Sequence, residues 1–313
     1  MSALLVAVEG ALAPAWAKAF HAQPGVDVRI WPDAIGDPKD ITVACVWRAP
    51  HGLLATLPNL RLIVNLGAGA DFLLADPSLP NVPIVRAADP DLSMRVTEYV
   101  VLHTLRYHRR QPLYDAQQRA RVWKEHLQPA ASEVNVGVMG LGVIGAEAAR
   151  VLARIGFSVA GWSASAKSID GVDTFHGVAG LDPFLARTEI LVCLLPLTDA
   201  TRGILNRGTL RKLRRDGAAG GAYLINAARG ALQVDADILA ALEEGSLAGA
   251  TLDVFASEPL PAASPLWRHP KVTITPHNAA ASDPSLVANV LRQIERFEQG
   301  LPLEHVVDRA RGY

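Results

Sequence analysis

The chain has 313 residues, half of them hydrophobic, and its 30 Lys and Arg against 31 Asp and Glu leave a net charge of −1. That length exceeds a usual single domain of roughly 100 to 200 residues, so two domains or one large α/β domain are expected. The balanced charge lacks the footprint of a nucleic-acid binder, and no run approaches the ~18 apolar residues of a membrane helix, which leaves a small molecule or another protein as partner.

In chain order, "ALLVAV" reads as a first buried strand, because Glu9 interrupts the apolar run and no basic segment precedes it as in a signal peptide. Strands are then expected at "VDVRIW", "ITVACVW", "LRLIVNLG" and "VPIVRA". They alternate with segments of helical period, the pattern of a parallel sheet with crossover helices. A long helix is expected from about Thr97 to Arg121, after which "VNVGVMG" opens a second series of strands. This continues through "FSVAGW", "EILVCLLP", "AYLINAA", "GATLDVF" and "VTITP" to a last helix over about Pro284 to Glu298. Cys45 and Cys193 sit in apolar runs without a CxxC or Cys/His pattern, so they read as small buried hydrophobes in a reducing cytoplasm, and no metal site is expected. The basic run "RKLRR" at 211–215 reads as a solvated helix end.

The stretch "VMGLGVIGAEAARVLARIG" carries Gly140, Gly142 and Gly145 in GxGxxG spacing, after a strand and at the opening of a helix. That context gives an otherwise weak pattern its meaning. The first glycine permits a tight turn, the second lets backbone approach a pyrophosphate, and the third lets helix pack on strand. The helix N-terminus adds unpaired N–H groups and a partial positive charge.

With "GLGVIG", "LLPLTDATRGILN", "INAARG", "LDVFASEPLP" and "ITPH" in this order, the chain resembles the D-isomer-specific 2-hydroxyacid dehydrogenases over nearly its whole length. Its "LGAGAD" and "VDRARGY" look most like the glyoxylate/hydroxypyruvate reductase A subgroup. The resemblance implies two Rossmann-like or flavodoxin-like α/β domains with parallel sheets and a cleft between them. Residues 1–96 plus 285–313 would bind substrate, and 97–284 would bind dinucleotide. It also implies a catalytic set of Arg229, Glu258 and His277. The chemistry agrees with that set. Histidine exchanges protons near neutrality, a carboxylate beside it stabilises the imidazolium, and arginine offers a fork of donors to a substrate carboxylate.

Other positions follow from the same resemblance. Gly140, Leu141, Gly142, Val143, Ile144 and Gly145 would hold the dinucleotide phosphates, and Leu195, Pro196, Thr201, Ala227, Ala228 and Asp253 would line its nicotinamide half. Ala68 and Gly69 would bind the substrate carboxylate through backbone N–H groups. Trp47 would wall the pocket, and Trp123 would lie in a dimer arm where it caps the neighbouring subunit's site. Glu98 and Tyr99 read as structural, with Thr97 or Met94 toward the nicotinamide. Two departures stand out: Asn278 follows His277 in place of an aliphatic residue, and the glycine-rich "RRDGAAGGAY" reads as a loosely held loop.

At the end of the second strand of a dinucleotide fold, a carboxylate binds the ribose 2′-OH and repels a 2′-phosphate. This chain has Ser163 there, eighteen residues after Gly145, followed by Ser165, Lys167 and Ser168, with no acid until Asp170. The expectation is therefore an NADPH-preferring, cytoplasmic, homodimeric reductase of glyoxylate and hydroxypyruvate, with NADH as the weaker donor. Another short 2-oxo acid such as pyruvate or phenylpyruvate, or a nucleotide-sensing, corepressor-like role, remain the alternatives.

Overall fold

Short apolar runs separated by helix-period segments bury best as parallel strands covered on both faces, and two such sheets form. A computed structural model describes residues 3–67, 69–87, 90–280, 284–310 and 312. The chain divides into one compact unit, Met1–Leu92 with Ala281–Tyr313, and a second, Ser93–Ala280. The sequence had placed these two passages at 96/97 and 284/285.

The first unit runs through β1 (Ala3–Val8), α1 (Ala13–His21), β2 (Val28–Ile30), β3 (Ile41–Trp47), β4 (Leu62–Asn65), α2 (Asp71–Leu74) and β5 (Ile84–Arg86). Its strands pair in parallel in the order β2-β1-β3-β4-β5. Every residue of β1 is buried, as a strand covered on both faces requires. Leu5, Ala7 and Ile63 pack on one face, and Val6, Val64, Trp16 and Phe20 on the other.

The second unit takes in nearly all of α3 (Pro90–His108), then α4 (Gln111–Ala120), β6 (Asn135–Met139), α5 (Val143–Ile155), β7 (Ser158–Ser163), β8 (Asp173–His176) and α6 (Gly177–Arg187). β9 (Ile190–Cys193), α7 (Arg207–Leu210), β10 (Tyr223–Asn226), α8 (Asp235–Glu243), β11 (Gly249–Leu252) and β12 (Val272–Ile274) follow, and α9 (Val287–Glu298) belongs again to the first unit. The seven strands lie parallel in the order β12-β11-β10-β9-β6-β7-β8. Strand order reverses between β6 and β9, and open α/β sheets bind ligands beyond the carboxyl ends of their strands at such a switch.

Four expectations change. The helix expected from Thr97 to Arg121 begins at Pro90 and breaks at Arg109 and Arg110. Arg110 takes a left-handed φ of 54°, and Pro112, which has no N–H to donate, sits in the first turn of α4. The first turn of the last helix, Pro284–Leu286, is a tighter 3₁₀ turn. β8, a short polar edge strand "DTFH", had no apolar run to mark it.

The glycine-rich loop is held in place by a buried carboxylate. Glu189 Oε1 accepts from the N–H of buried Ala219 at 2.8 Å, while Oε2 accepts from Asn135 N at 2.9 Å and Asn135 Nδ2 at 2.8 Å. A Cβ on Gly217 would collide with that carboxylate, so the glycine permits the close approach.

The basic run keeps to the surface. Arg211 pairs with Glu244 at 2.7 Å, Lys212 with Asp182 at 2.6 Å and Arg214 with Asp216 at 3.2 Å. Exposed pairs of this kind contribute roughly 0 to 1 kcal/mol each. Both cysteines are buried, and burial pushes the Cys193 thiol up to about 12, which leaves it unreactive.

Candidate active site

The glycine turn leaves β6 and enters α5 at the switch point. Gly140 has φ 106°, and a Cβ there would strike the Leu194–Leu195 backbone beyond β9. Gly145 lies against the Gly140 carbonyl, where a Cβ would collide. Gly142, the N-cap of α5, instead opens on space with nothing within 4 Å of a Cβ position. Turn, open cradle and tight packing thus fall on the three glycines in order. Leu141 is buried against Gly161, Ile144 is half-buried, and Val143 is 70% exposed at the cradle.

At the end of β7, Ser163 is buried and its hydroxyl donates to the Ser165 carbonyl at 2.7 Å, so its proton shapes the turn. Ser165 and Lys167 are exposed. After β9, Leu195 is buried, and the Thr201 hydroxyl donates to the Pro196 carbonyl at 2.8 Å while accepting from Thr198 N at 2.8 Å. Thr201 therefore closes its own loop. Thr97 likewise spends its hydroxyl on the Ser93 carbonyl at 2.8 Å, so it has no proton left for a ligand, whereas Met94 is exposed.

Arg229 follows β10 and a short turn containing Ala227 and Ala228. Fully buried Asn226 braces that turn: its Nδ2 donates to Gln233 Oε1 at 2.8 Å and to the Arg229 carbonyl at 3.3 Å, and its Oδ1 accepts from Ala228 N at 3.2 Å. The Arg229 guanidinium donates to the Ala228 carbonyl at 2.7 Å. Gly230 lies directly on the Phe255–Ala256 backbone, where a Cβ would clash. The arginine turn is thereby joined to the segment that carries Glu258.

Glu258 and His277 meet. Glu258 Oε1 accepts from Phe255 N at 3.0 Å, and Oε2 lies 2.8 Å from His277 Nδ1. His277 has a left-handed φ of 53°, a conformation that costs a non-glycine residue on the order of 1 kcal/mol or more. Asp253 compensates. Its carbonyl accepts from His277 N at 2.8 Å. Its carboxylate, 1% exposed, accepts from Thr275 Oγ1 at 2.6 Å and Asn278 N at 2.9 Å on Oδ1, and from Ala279 N at 3.0 Å on Oδ2. Three of about four acceptor positions are thus used on the histidine loop itself. The Asn278 departure leaves this scheme intact, because its backbone N–H makes the bond.

In the first unit, the Trp47 ring sits on Gly67, where any side chain would collide with it. Buried Asn65 donates through Nδ2 to the carbonyls of Gly67 at 2.7 Å and Gly69 at 3.0 Å, which fixes the turn. Ala68, the other backbone position expected there, lies outside the described residues. Trp123, by contrast, stands 97% exposed on the segment after α4, near an exposed Leu127, and joins none of the groups above. Sequence reasoning passed over Asn65, Asn226 and Thr275, whose only signal was a polar residue at or just past the end of an apolar strand.

The model of the D-isomer specific 2-hydroxyacid dehydrogenase NAD binding domain matches residues 101–279. The chain is 40% identical over 297 residues to the glyoxylate/hydroxypyruvate reductase A of Yersinia enterocolitica, covering 93% of each. Among solved structures it is similar to the NADPH-dependent glyoxylate/hydroxypyruvate reductase of Sinorhizobium meliloti in complex with NADP and sulfate, at 45% identity, full coverage of both chains and a TM-score of 0.96. It is also similar to a probable 2-hydroxyacid dehydrogenase of Rhizobium etli in complex with NADP, HEPES and L(+)-tartaric acid, at 42% identity over 100% of this chain and 99% of that one, with a TM-score of 0.93. No helix among the described residues is long and apolar enough to cross a membrane. The chain belongs to the D-isomer specific 2-hydroxyacid dehydrogenase family and is an oxidoreductase.

Proposed function

We propose that the chain is an NADPH-dependent reductase that converts glyoxylate to glycolate and hydroxypyruvate to glycerate, with NADH as the weaker donor. The observation that carries this reading is the His277–Glu258 pair at 2.8 Å, next to an arginine turn in a chain 45% identical to an NADP-bound reductase. The cofactor fits the residues present. The open cradle at Gly142 and the N-terminus of α5 suit a pyrophosphate, with Gly140, Leu141, Val143, Ile144 and Gly145 around it. Exposed Ser165 and Lys167, on the turn that buried Ser163 shapes, would receive a 2′-phosphate that no carboxylate repels. Leu195, Pro196, Thr201, Ala227, Ala228 and Asp253 would border the nicotinamide half, with Asp253 keeping one acceptor position on Oδ2.

The bound cofactor supplies the hydride. Arg229 binds the substrate carboxylate through its planar fork of donors. Glu258 holds a proton at His277 Nδ1, so proton transfer to the substrate oxygen falls to Nε2. As that proton leaves, the Glu258 carboxylate fixes the ring and its tautomer. The first unit, with Trp47, Ala68 and Gly69, would provide the substrate-binding half, and the second the dinucleotide-binding half. Exposed Trp123 and Leu127 support a homodimer, and the reduced buried cysteines support a cytoplasmic enzyme.

Steady-state rates of NADPH oxidation with glyoxylate, hydroxypyruvate, pyruvate and phenylpyruvate test the substrate class. The highest kcat/KM is expected for glyoxylate or hydroxypyruvate. A clear preference for phenylpyruvate would overturn the assignment.

A further inference from the structure

Two tyrosines on α3 are bolted to threonines of the sheet edge at β11 and β12. Tyr107 lies 2.7 Å, hydroxyl to hydroxyl, from Thr251 of β11, and Tyr99, two helical turns earlier, lies 2.7 Å from Thr275, the residue just after β12. Residues i, i+4 and i+8 share a helix face, and His103 between them packs its ring at a tilt against Tyr99, with centroids 4.3 Å apart. The Tyr107 bolt joins helix to strand. The Tyr99 bolt reaches the histidine loop.

The direction of the second bolt follows from proton counting. A threonine hydroxyl has one proton, and Thr275 gives it to Asp253 Oδ1 at 2.6 Å. Tyr99 must therefore be the donor to Thr275, and burial, which pushes the phenol's pKa upward, keeps it in the donor form. The donors converge on the carboxylate: Tyr99 O–H donates to Thr275 Oγ1, Thr275 O–H to Asp253 Oδ1, and the N–H groups of Asn278 and Ala279 donate to Oδ1 and Oδ2. His277 lies between Thr275 and Asn278 in a left-handed conformation that is uncommon for any residue but glycine. Successive hydrogen bonds of this kind polarise and strengthen one another away from water.

We propose that Tyr99 and Thr275 are positioning residues for His277, acting through Asp253. This rests on His277 being the proton donor of the proposed reduction. Neither residue reaches the reacting atoms. Their work is to fix the carboxylate that holds the loop in register, so that the imidazole keeps its angle toward Glu258. The loop ends at Ala279, next to the passage of the chain out of the second unit, and α3 begins at the other passage. The brace ties these two segments to one another within the second unit, so His277 is referenced to the NAD binding domain.

The test uses Thr275→Val, Thr275→Ser and Tyr99→Phe in the full chain. Hydrogen–deuterium exchange of the peptide covering 275–280, which needs no turnover, is expected to speed up in Thr275→Val, to do so less in Tyr99→Phe, and to be restored in Thr275→Ser. In glyoxylate reduction, Thr275→Val is expected to lower kcat about tenfold, since small misplacements of a catalytic group carry large penalties, with KM for glyoxylate and the dissociation constant of NADPH changed less than about threefold. Thr275→Ser is expected to recover most of the loss. Unchanged exchange in Thr275→Val would overturn the brace itself. Faster exchange with wild-type kcat would overturn its role in positioning, and a wild-type chain that reduces no 2-oxo acid would instead overturn the proposed function on which it rests.

Discussion

The histidine loop at 275–279 and the turn at 163–168 both follow strands of the second unit, yet they are built in opposite ways. Around His277, a buried aspartate accepts three hydrogen bonds and its carbonyl a fourth, and a backbone conformation that would not persist alone is held. Around Lys167, two side-chain bonds, Ser163 Oγ to the Ser165 carbonyl and Thr174 Oγ1 to the Lys167 carbonyl, each 2.7 Å, hold only the backbone of the turn, and the residues from Ala164 to Ser168 are exposed. The contrast follows from what each would do under the proposed function. Proton transfer demands a fixed angle and distance, so the geometry is over-determined. Attraction of a phosphate needs charge and reach, and an exposed lysine provides both without a rigid frame.

The most severe way to break the contrast is to remove the brace. Asp253→Ala leaves the Asn278 and Ala279 N–H groups and the Thr275 hydroxyl without their acceptor. The Ala279 N–H, whose bond is buried, is the costly one, since a buried polar group so stranded costs about 1 to 3 kcal/mol, whereas exposed Asn278 can turn to water. The melting temperature is expected to fall, and kcat to drop on the order of a hundredfold. A variant with wild-type kcat would mean that the loop holds itself.

At the turn after β7, the effect should fall first on cofactor choice. Ser163→Asp places a carboxylate where a ribose 2′-OH is bound and a 2′-phosphate repelled. The ratio of kcat/KM for NADPH over NADH is expected to fall about tenfold or more, and Lys167→Ala to lower it by about threefold, the latter with little change in melting temperature. An unchanged ratio in both variants would remove the turn from cofactor selection.

The smallest effect concerns the support beneath the brace. Burial lowers the pKa of His103 from its ordinary 6.5 to about 4, so the folded protein binds this proton less readily than the unfolded chain does. The stability it contributes is complete above pH 6.5 and is lost as pH falls toward 4. Melting curves should therefore show wild type losing stability faster than His103→Gln between pH 6.5 and 4. Parallel curves across that range would assign the acid sensitivity elsewhere.

Much of this architecture was legible in the sequence because the signal was periodic. The apolar runs at "ALLVAV" and "ITVACVW" became central strands at the expected places, and the three glycines at 140, 142 and 145 took a turn, a cradle and a packing contact. Edges and braces were less legible. β8 is a half-exposed edge strand with a single apolar residue, Phe175, so "DTFH" carried no apolar run to announce a strand. The break at Arg110 hinged on one left-handed residue, two positions ahead of a proline. The glycine-rich loop read as loose because its anchor, Glu189, is distant in sequence and joins it only when strands align. The role of Tyr99 was hidden for the same reason: its partner lies 176 residues away. Polar braces carry no period, and only the fold brings their two ends together.

The central claim is that His277 delivers the proton in reduction of a 2-oxo acid while other groups hold the cofactor. The most direct measurement follows NADPH oxidation with saturating glyoxylate in wild type and His277→Ala, together with NADPH binding by fluorescence. Loss of a general acid typically lowers the rate by about 10² to 10⁴, and the expected result is a fall of that size in kcat with NADPH affinity within about twofold. A His277→Ala chain that turns over glyoxylate at the wild-type rate would contradict the account.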